Sequence, residues 1–351
     1  MIINEVTDLL QMEHPIIQAP MAGGVTTTEL VTSVSNNGGL GMIGAGYMTP
    51  IQMREQIREV KEVTSNFGVN LFVPNEFSVS QNAMETAHAV LEPLRKELNI
   101  QQDGSELPEA KQFFETFQAQ IEVVIEEKVP ICSFTFGIPS KEVMMKLKQH
   151  SIILMGTATT VREAVANENS GMDLVVVQGS EAGGHRGNFI DGHEESLVGL
   201  MSLIPQVVDE VSIPVIAAGG IMDGRGLMAS LCLGAKGVQM GTAFLTCIES
   251  GAHKIHKKAI LHAEEDHIVF TRAFSGKWAR GIKNRFIVDM QEHERSFPDF
   301  PVQNHLTKSI RKTSSTKNNK DFMSLWGGQS PRLAKIQTVE SLIKNIMSEA
   351  K

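Results

Sequence analysis

The chain has 351 residues, 42% of them hydrophobic and 30 of them glycine; at roughly 150 residues per domain this admits two domains or one large barrel, and it argues against a disordered chain. Asp and Glu number 40 against 32 Lys and Arg, and the net charge of −8 repels phosphate backbones and anionic lipid alike, so no nucleic-acid or membrane partner is expected. Cys132, Cys232 and Cys247 form no CxxC pair, which argues against a disulfide framework or a cysteine metal site and suits a reducing cytoplasm.

The N-terminal MIINEVTDLL has no basic region, and the most apolar stretch, 211–222, is shorter than a membrane span, so a soluble, unprocessed protein is expected. Short apolar runs, each ending in glycine or a small polar residue, recur at 16–18, 40–44, 67–71, 131–134, 152–156, 174–178, 215–218 and 237–240. Amphipathic helical patterns lie between them at 28–35, 50–64, 140–148, 160–167, 197–211 and 223–233. Doubly buried runs that alternate with helices predict a parallel sheet, and eight of them predict a closed (β/α)8 TIM barrel. The long gap before the fourth run, at 80–128, reads as two charged helices around a QQDGS turn, a helical insertion over the barrel mouth. A C-terminal extension, about 250–351, is expected to pack at the mouth within one domain spanning 1–351; in it 307–320 reads as a solvated loop and 331–347 as a last helix. The three cysteines fall on apolar elements and read as core packing.

A barrel of this kind carries its chemistry on the loops that follow the strands. Those positions hold Met21 to Gly24, Ala45-Gly46, Asn70, Phe136-Gly137, Thr157, Gln178 to Gly187, Gly219-Gly220 and Gly241-Thr242. Such a glycine collar lets backbone N–H groups approach a phosphate-bearing ligand closely. Gly219, Gly220, Gly241 and Thr242 follow the seventh and eighth strands, where barrels commonly bind phosphate, and form the candidate cradle; tight βα turns are the plainer reading. Gly39-Leu40-Gly41-Met42-Ile43-Gly44 satisfies GxGxxG, yet its glycines flank the strand where a dinucleotide fingerprint needs a strand before and a helix after them.

His185, inside GGHRG, is the histidine best placed for acid–base or anion-binding work, against the alternative that it anchors its own loop. Glu181 either orients that ring or caps the loop. His253 and His256 read as a surface helix, His193-Glu194-Glu195 as a solvated loop, and no metal site is expected.

QAPMAGG from Gln18, GGLGMIGAG from Gly38, QGSEAGGHRG from Gln178, AAGGIMDGRG from Ala217, GVQMGTAFL from Gly237 and LWGGQ from Leu325 together resemble the nitronate monooxygenases over the whole chain. The resemblance implies an FMN-containing barrel in which Asn70 and Gln178 hydrogen-bond the flavin and Gly183 backs it. Gly220, Gln239, Met240, Gly241 and Thr242 would hold its phosphate end, matching the glycine cradle that also includes Gly219, His185 would be catalytic, and Met21 and Gln329 would lie near the ring. The implied reaction is oxidation of an alkyl nitronate such as propionate 3-nitronate with O2 to a carbonyl compound and nitrite, a detoxification. Some relatives line the substrate pocket with several tyrosines, whereas Tyr47 is the one tyrosine here. A sister family, the NADH-dependent enoyl-thioester reductases, shares GGLGMIG, EAGGH and AAGGI and is the alternative, with a flavin-binding sensor as a third. No motif specifies an oligomeric state.

Overall fold

All eight anticipated apolar runs form strands in a computed structural model that describes residues 2–101 and 107–350; most of the QQDGS turn lies outside the described residues. Six come first, β1 (Ile16–Gln18), β2 (Gly41–Gly44), β3 (Phe67–Phe72), β4 (Ile131–Thr135), β5 (Ile153–Ala158) and β6 (Leu174–Gln178). After a two-residue strand, β7 (Gly184–His185), the series resumes with β8 (Val215–Ala218) and β9 (Gly237–Met240). The barrel order is β1-β9-β8-β6-β5-β4-β3-β2 with parallel pairing. The two ends meet where Ile17 bridges Leu40 and the Gln18 N–H donates to the Leu40 carbonyl at 2.9 Å, as the (β/α)8 pattern requires.

Side chains alternate across each strand. Ile17, Met42, Ile131, Met155, Leu174, Val176 and Ile216 point inward and pack with Val6 and Leu10, so the short N-terminal helix Glu5–Leu9 lies against one end of the interior. The sequence pattern did not reveal that helix, whose five residues are too few for a periodic signal; Asn4 caps it by accepting from the Val6 and Thr7 N–H groups. Outward residues such as Val175, Ala217, Val238 and Met240 pack beneath the helices.

The segment 80–128 divides in two. Its second helix, Ala110–Glu126, buries Phe117, Ile121 and Val124 against β3 and β4 side chains and so belongs to the barrel's outer ring. The first, Gln81–Glu97, joins the C-terminal segment: Ala87, Leu91 and Leu94 pack with Phe274, Phe286 and Leu306. The C-terminal extension divides as well. Residues 273–322 supply the cap over the mouth, whereas the helix Val339–Glu349 returns to the outer ring and packs on the helices Thr28–Asn36 and Gly224–Cys232.

Three further expectations change. The stretch 307–320 is largely a helix, Lys308–Thr316, because Ile310 and Ser314 are buried on one face. Cys232 is exposed, unlike Cys132 and Cys247. A small antiparallel sheet, β10 (Ile268–Thr271), β11 (Ala279–Ile282) and β7, was not anticipated. No helix among the described residues is long and apolar enough to cross a membrane.

The glycines around β2 serve packing. A Cβ on Gly41 would sit 2.1 Å from the Val31 carbonyl oxygen, so the helix Thr28–Asn36 approaches its strand only because that position is bare. Gly41→Ala is therefore expected to lower stability by about 1–3 kcal/mol through forced backbone movement, read as a reduced midpoint in urea unfolding.

Candidate active site

At the C-terminal ends of the strands the inward alternation changes chemistry. Asn70, Thr135, Thr157, Gln178, Ala218 and Gln239 line a cavity of about 220 Å³ directly above the apolar interior. Met21, Gly183, Gly219, Gly220, Gly241 and Thr242 form its rim, and Trp326, Gly328 and Ser330 lie over it from the C-terminal segment. Among the described residues, none of the side chains lining it is a carboxylate, ammonium or guanidinium. Three amides, with hydroxyls and imidazoles among apolar groups, suit an uncharged, flat heterocycle with donors and acceptors on its edge. Gly219 and Gly220 have φ of +129° and +68°, so their backbone turns as side-chain-bearing residues rarely do.

Two anticipated residues do not line this cavity. Met240 follows Gln239 by one residue, and strand alternation sends its side chain outward into the core beneath the helices. Gln329 is exposed, its N–H donating to the Glu181 carbonyl at 2.9 Å, while its neighbours Gly328 and Ser330 face inward. Gly183 is bare for a packing reason: a Cβ there would lie 2.5 Å from backbone atoms of Gly327 and Gly328.

Asn70 donates through Nδ2 to the hydroxyls of Ser133 at 2.8 Å and Thr135 at 3.1 Å, which fixes the amide's orientation. Gln178 holds the loop that follows its strand. Its Nε2 donates to the His185 carbonyl at 3.1 Å and its Oε1 accepts from the Gly187 N–H at 2.8 Å. Arg186, fully buried, reinforces the same turn by donating to the carbonyls of Gln178, Gly179 and Ser196. Glu181 proves to be a cap: its carboxylate accepts from Leu200 N–H at 2.9 Å, where the helix Leu200–Glu210 begins.

β7 pairs with β11, and His185 faces Ala279 in that register. The imidazole lines the cavity, 5.4 Å from Trp326 and 6.1 Å from Phe136 between ring centroids. Its Nε2 lies 2.8 Å from Ser275 Oγ. That hydroxyl donates to the Lys277 carbonyl at 2.9 Å, so its single hydrogen is committed and it accepts from His185. The proton therefore sits on Nε2, and Nδ1 keeps its lone pair. Burial brings the imidazole down to about 3, and the charges of Lys277 and Arg311 push the same way. The ring is neutral at pH 7.

Ser275 and Arg311 are functional neighbours that the sequence pattern did not single out, because both come from the cap and reach His185 only through the fold. Phe136, which the sequence places at the end of its strand, is a non-glycine residue at φ +74°, directly after β4, with its ring against the cavity. Such a conformation costs of order 1–3 kcal/mol and persists where the surroundings demand it. His256 lies not on the surface but buried beside the cavity, its Nε2 2.8 Å from the Trp326 carbonyl, and burial lowers it to about 4. His193 leaves solvent to stack on Trp278, with centroids 4.3 Å apart.

These depressed imidazoles link stability to pH. His185 and His256 are neutral in the fold, whereas an unfolded chain protonates histidine near 6.5. The unfolded state thus binds more protons below that pH, and stability falls with pH by at most about 1.4 kcal/mol per unit for each ring until the folded state also titrates. Urea unfolding at pH 7 and pH 5 should show the loss, and His256→Asn should make its slope shallower.

Comparison with known proteins agrees with this geometry. The family model described as nitronate monooxygenase matches residues 4–349. A protein of Staphylococcus haemolyticus named a probable nitronate monooxygenase is 53% identical, over 99% of this chain and 97% of its own length. The structure of a nitroalkane oxidase from Streptomyces ansochromogenes superposes with a TM-score of 0.90 at 37% identity, covering 99% of this chain and 98% of that one. FabK from Thermotoga maritima superposes with a TM-score of 0.78 at 32% identity, covering 100% and 96%. The chain belongs to the nitronate monooxygenase family.

Proposed function

We propose that this protein is an FMN-dependent nitronate monooxygenase of the cytoplasm, which oxidises alkyl nitronates such as propionate 3-nitronate with O2 to a carbonyl compound and nitrite, in a detoxifying role. Family membership makes it a flavin-dependent oxidoreductase. The observation that carries the reading is the uncharged cavity with an amide floor, glycine turns at its rim and a neutral imidazole at its edge. Asn70 and Gln239 are the side chains suited to a flavin edge. The turns at Gly219-Gly220 and Gly241-Thr242 suit its phosphate, and the site offers one such cradle, which favours FMN over a dinucleotide. Bound there, the flavin supplies electron transfer from substrate to oxygen.

What the chain's own residues contribute is orientation and charge. His185, held by Ser275 through Nε2, keeps Nδ1 as the unprotonated nitrogen, to which a neutral nitroalkane would lose its α proton. An imidazole brought down to about 3 is a weak base, so proton abstraction is poorly driven and a preformed nitronate is the better substrate. The cations that depress the ring, Lys277 and Arg311, also favour an anion beside it.

The experiment is turnover of propionate 3-nitronate by the yellow protein, with release of FMN on denaturation; a colourless protein that takes up no added FMN refutes the reading. His185→Asn should keep the cofactor and lose about 10- to 150-fold in nitronate kcat/KM, the worth of a hydrogen bond to a charged partner. A neutral nitroalkane should lose more. Asn70→Ala should weaken flavin binding, followed by fluorescence. The likeness to FabK carries a second reading, an enoyl-thioester reductase, and anaerobic flavin reduction by NADH but not by nitronate would favour it.

A further inference from the structure

A second cavity, of about 520 Å³, meets the first at Tyr47, Phe72 and Phe136, whose rings line both. The rings are in mutual contact: Tyr47 meets Phe72 edge-on at 5.3 Å, and Phe72 lies 4.6 Å from Phe136. His185 stands at this junction, 6.2 Å from Phe300, which lines the second cavity. The helix Ala110–Glu126 closes the far side with Phe113 and Phe117. The volume lies within the roughly 300–1,000 Å³ of small-molecule sites, and the walls match their usual make-up, aromatic with a few polar groups.

The charges around this chamber are paired except for one. Arg272 pairs with Asp299 at 2.5 Å. Asp191 accepts from the Thr160 hydroxyl and pairs with Arg162. Lys277 alone among the described lining residues has a charged group with no ion pair: its ammonium donates to the Asn188 carbonyl at 3.0 Å and lies 5.0 Å from the centre of the Phe136 ring, at the junction itself. The carboxylates of Glu163 and Asp299 act on it only from beyond ion-pair distance, so the buried cation is incompletely compensated, and an incoming anion relieves it.

We propose that the second cavity is the subsite for the carbon body of the substrate and that Lys277 binds a carboxylate carried on that body, so that the favoured substrates are nitro-carboxylates with chains longer than three carbons. This rests on the nitronate reading of the first cavity. The nitronate end then lies beside His185, the chain passes the rings of Phe136 and Phe72, and the carboxylate meets the ammonium. Burial already lowers Lys277 to about 8, and a carboxylate at Nζ would raise it again by favouring the charged form.

The test compares 6-nitrohexanoate with 1-nitrohexane, both as nitronates, in the flavin-loaded wild type and in Lys277→Met. The two chains have equal length, so the ratio of their kcat/KM values isolates carboxylate recognition and cancels any effect of the lost charge on His185. We expect the wild type to favour the carboxylate by about 10- to 100-fold and Lys277→Met to abolish that preference, with Lys277→Arg keeping most of it. Calorimetry with hexanoate gives a readout without turnover: the wild type should bind it at least about 10-fold more tightly than Lys277→Met. An unchanged ratio, or equal hexanoate affinity, overturns the assignment even when both nitronates are oxidised. Lysine-dependent hexanoate binding with neither nitronate oxidised would overturn the nitronate reading and leave the subsite in place. Should Lys277→Met fail to fold by circular dichroism, Phe113→Trp fills the chamber from its far side; it should weaken hexanoate binding, and undiminished affinity would overturn the proposal.

Discussion

The site depends on a guanidinium enclosed by protein. Arg186 has no solvent exposure, and three backbone carbonyls around the turn after β6 accept from it. Removing a cation from water is costly, so the position is tolerable only with those acceptors in place; burial still brings its pKa down to about 10. The same carbonyls tie Gln178 and Gly179 to Ser196, which holds β7 against β11 and puts the imidazole of His185 over the cavity. Arg186 thus secures the turn from which strand, cap sheet and histidine diverge, alongside Gln178, which holds the same loop.

The barrel was legible because its strands are buried on both faces and so appear as unbroken apolar runs, and because glycine marks where they end. The cap was not. β7 has two residues and draws its stability from β11, nearly 100 positions later, so no local pattern announces it. The helix Lys308–Thr316 has a basic, polar sequence with Ile310 as its one large buried apolar residue, so it reads as a loop until its neighbours are known. Period-two alternation would have sent the Met240 side chain into the core once Gln239 was taken as inward. Gln329 is different, since the turn after Trp326 has no regular period from which its direction could be read.

Charge is arranged in shells. The first cavity is lined by uncharged groups, the second cavity carries Lys277, and Arg311 stands behind them on the cap, where it donates to the carbonyl and side chain of Asn304. An overall charge of −8 therefore coexists with a local positive field, and the two have different ranges: the net charge is screened within about 10 Å at ordinary salt, whereas the buried cations act through a weakly screening interior. A small anion is drawn by the local field while the exterior repels polyanions.

The return of Val339–Glu349 to the outer ring bears on how the protein is made. That helix fills the space between Thr28–Asn36 and Gly224–Cys232, burying Val339, Leu342, Ile343 and Ile346. Its partners emerge from the ribosome far earlier, and the early apolar faces of Leu30, Val34 and Leu227 remain uncovered during translation until this late segment arrives. Pairing across such a sequence separation slows folding and prolongs exposure of sticky surface. Covering that face is consequently a contact of long sequence separation, made later in synthesis than the pairing of β1 with β9 that closes the barrel itself.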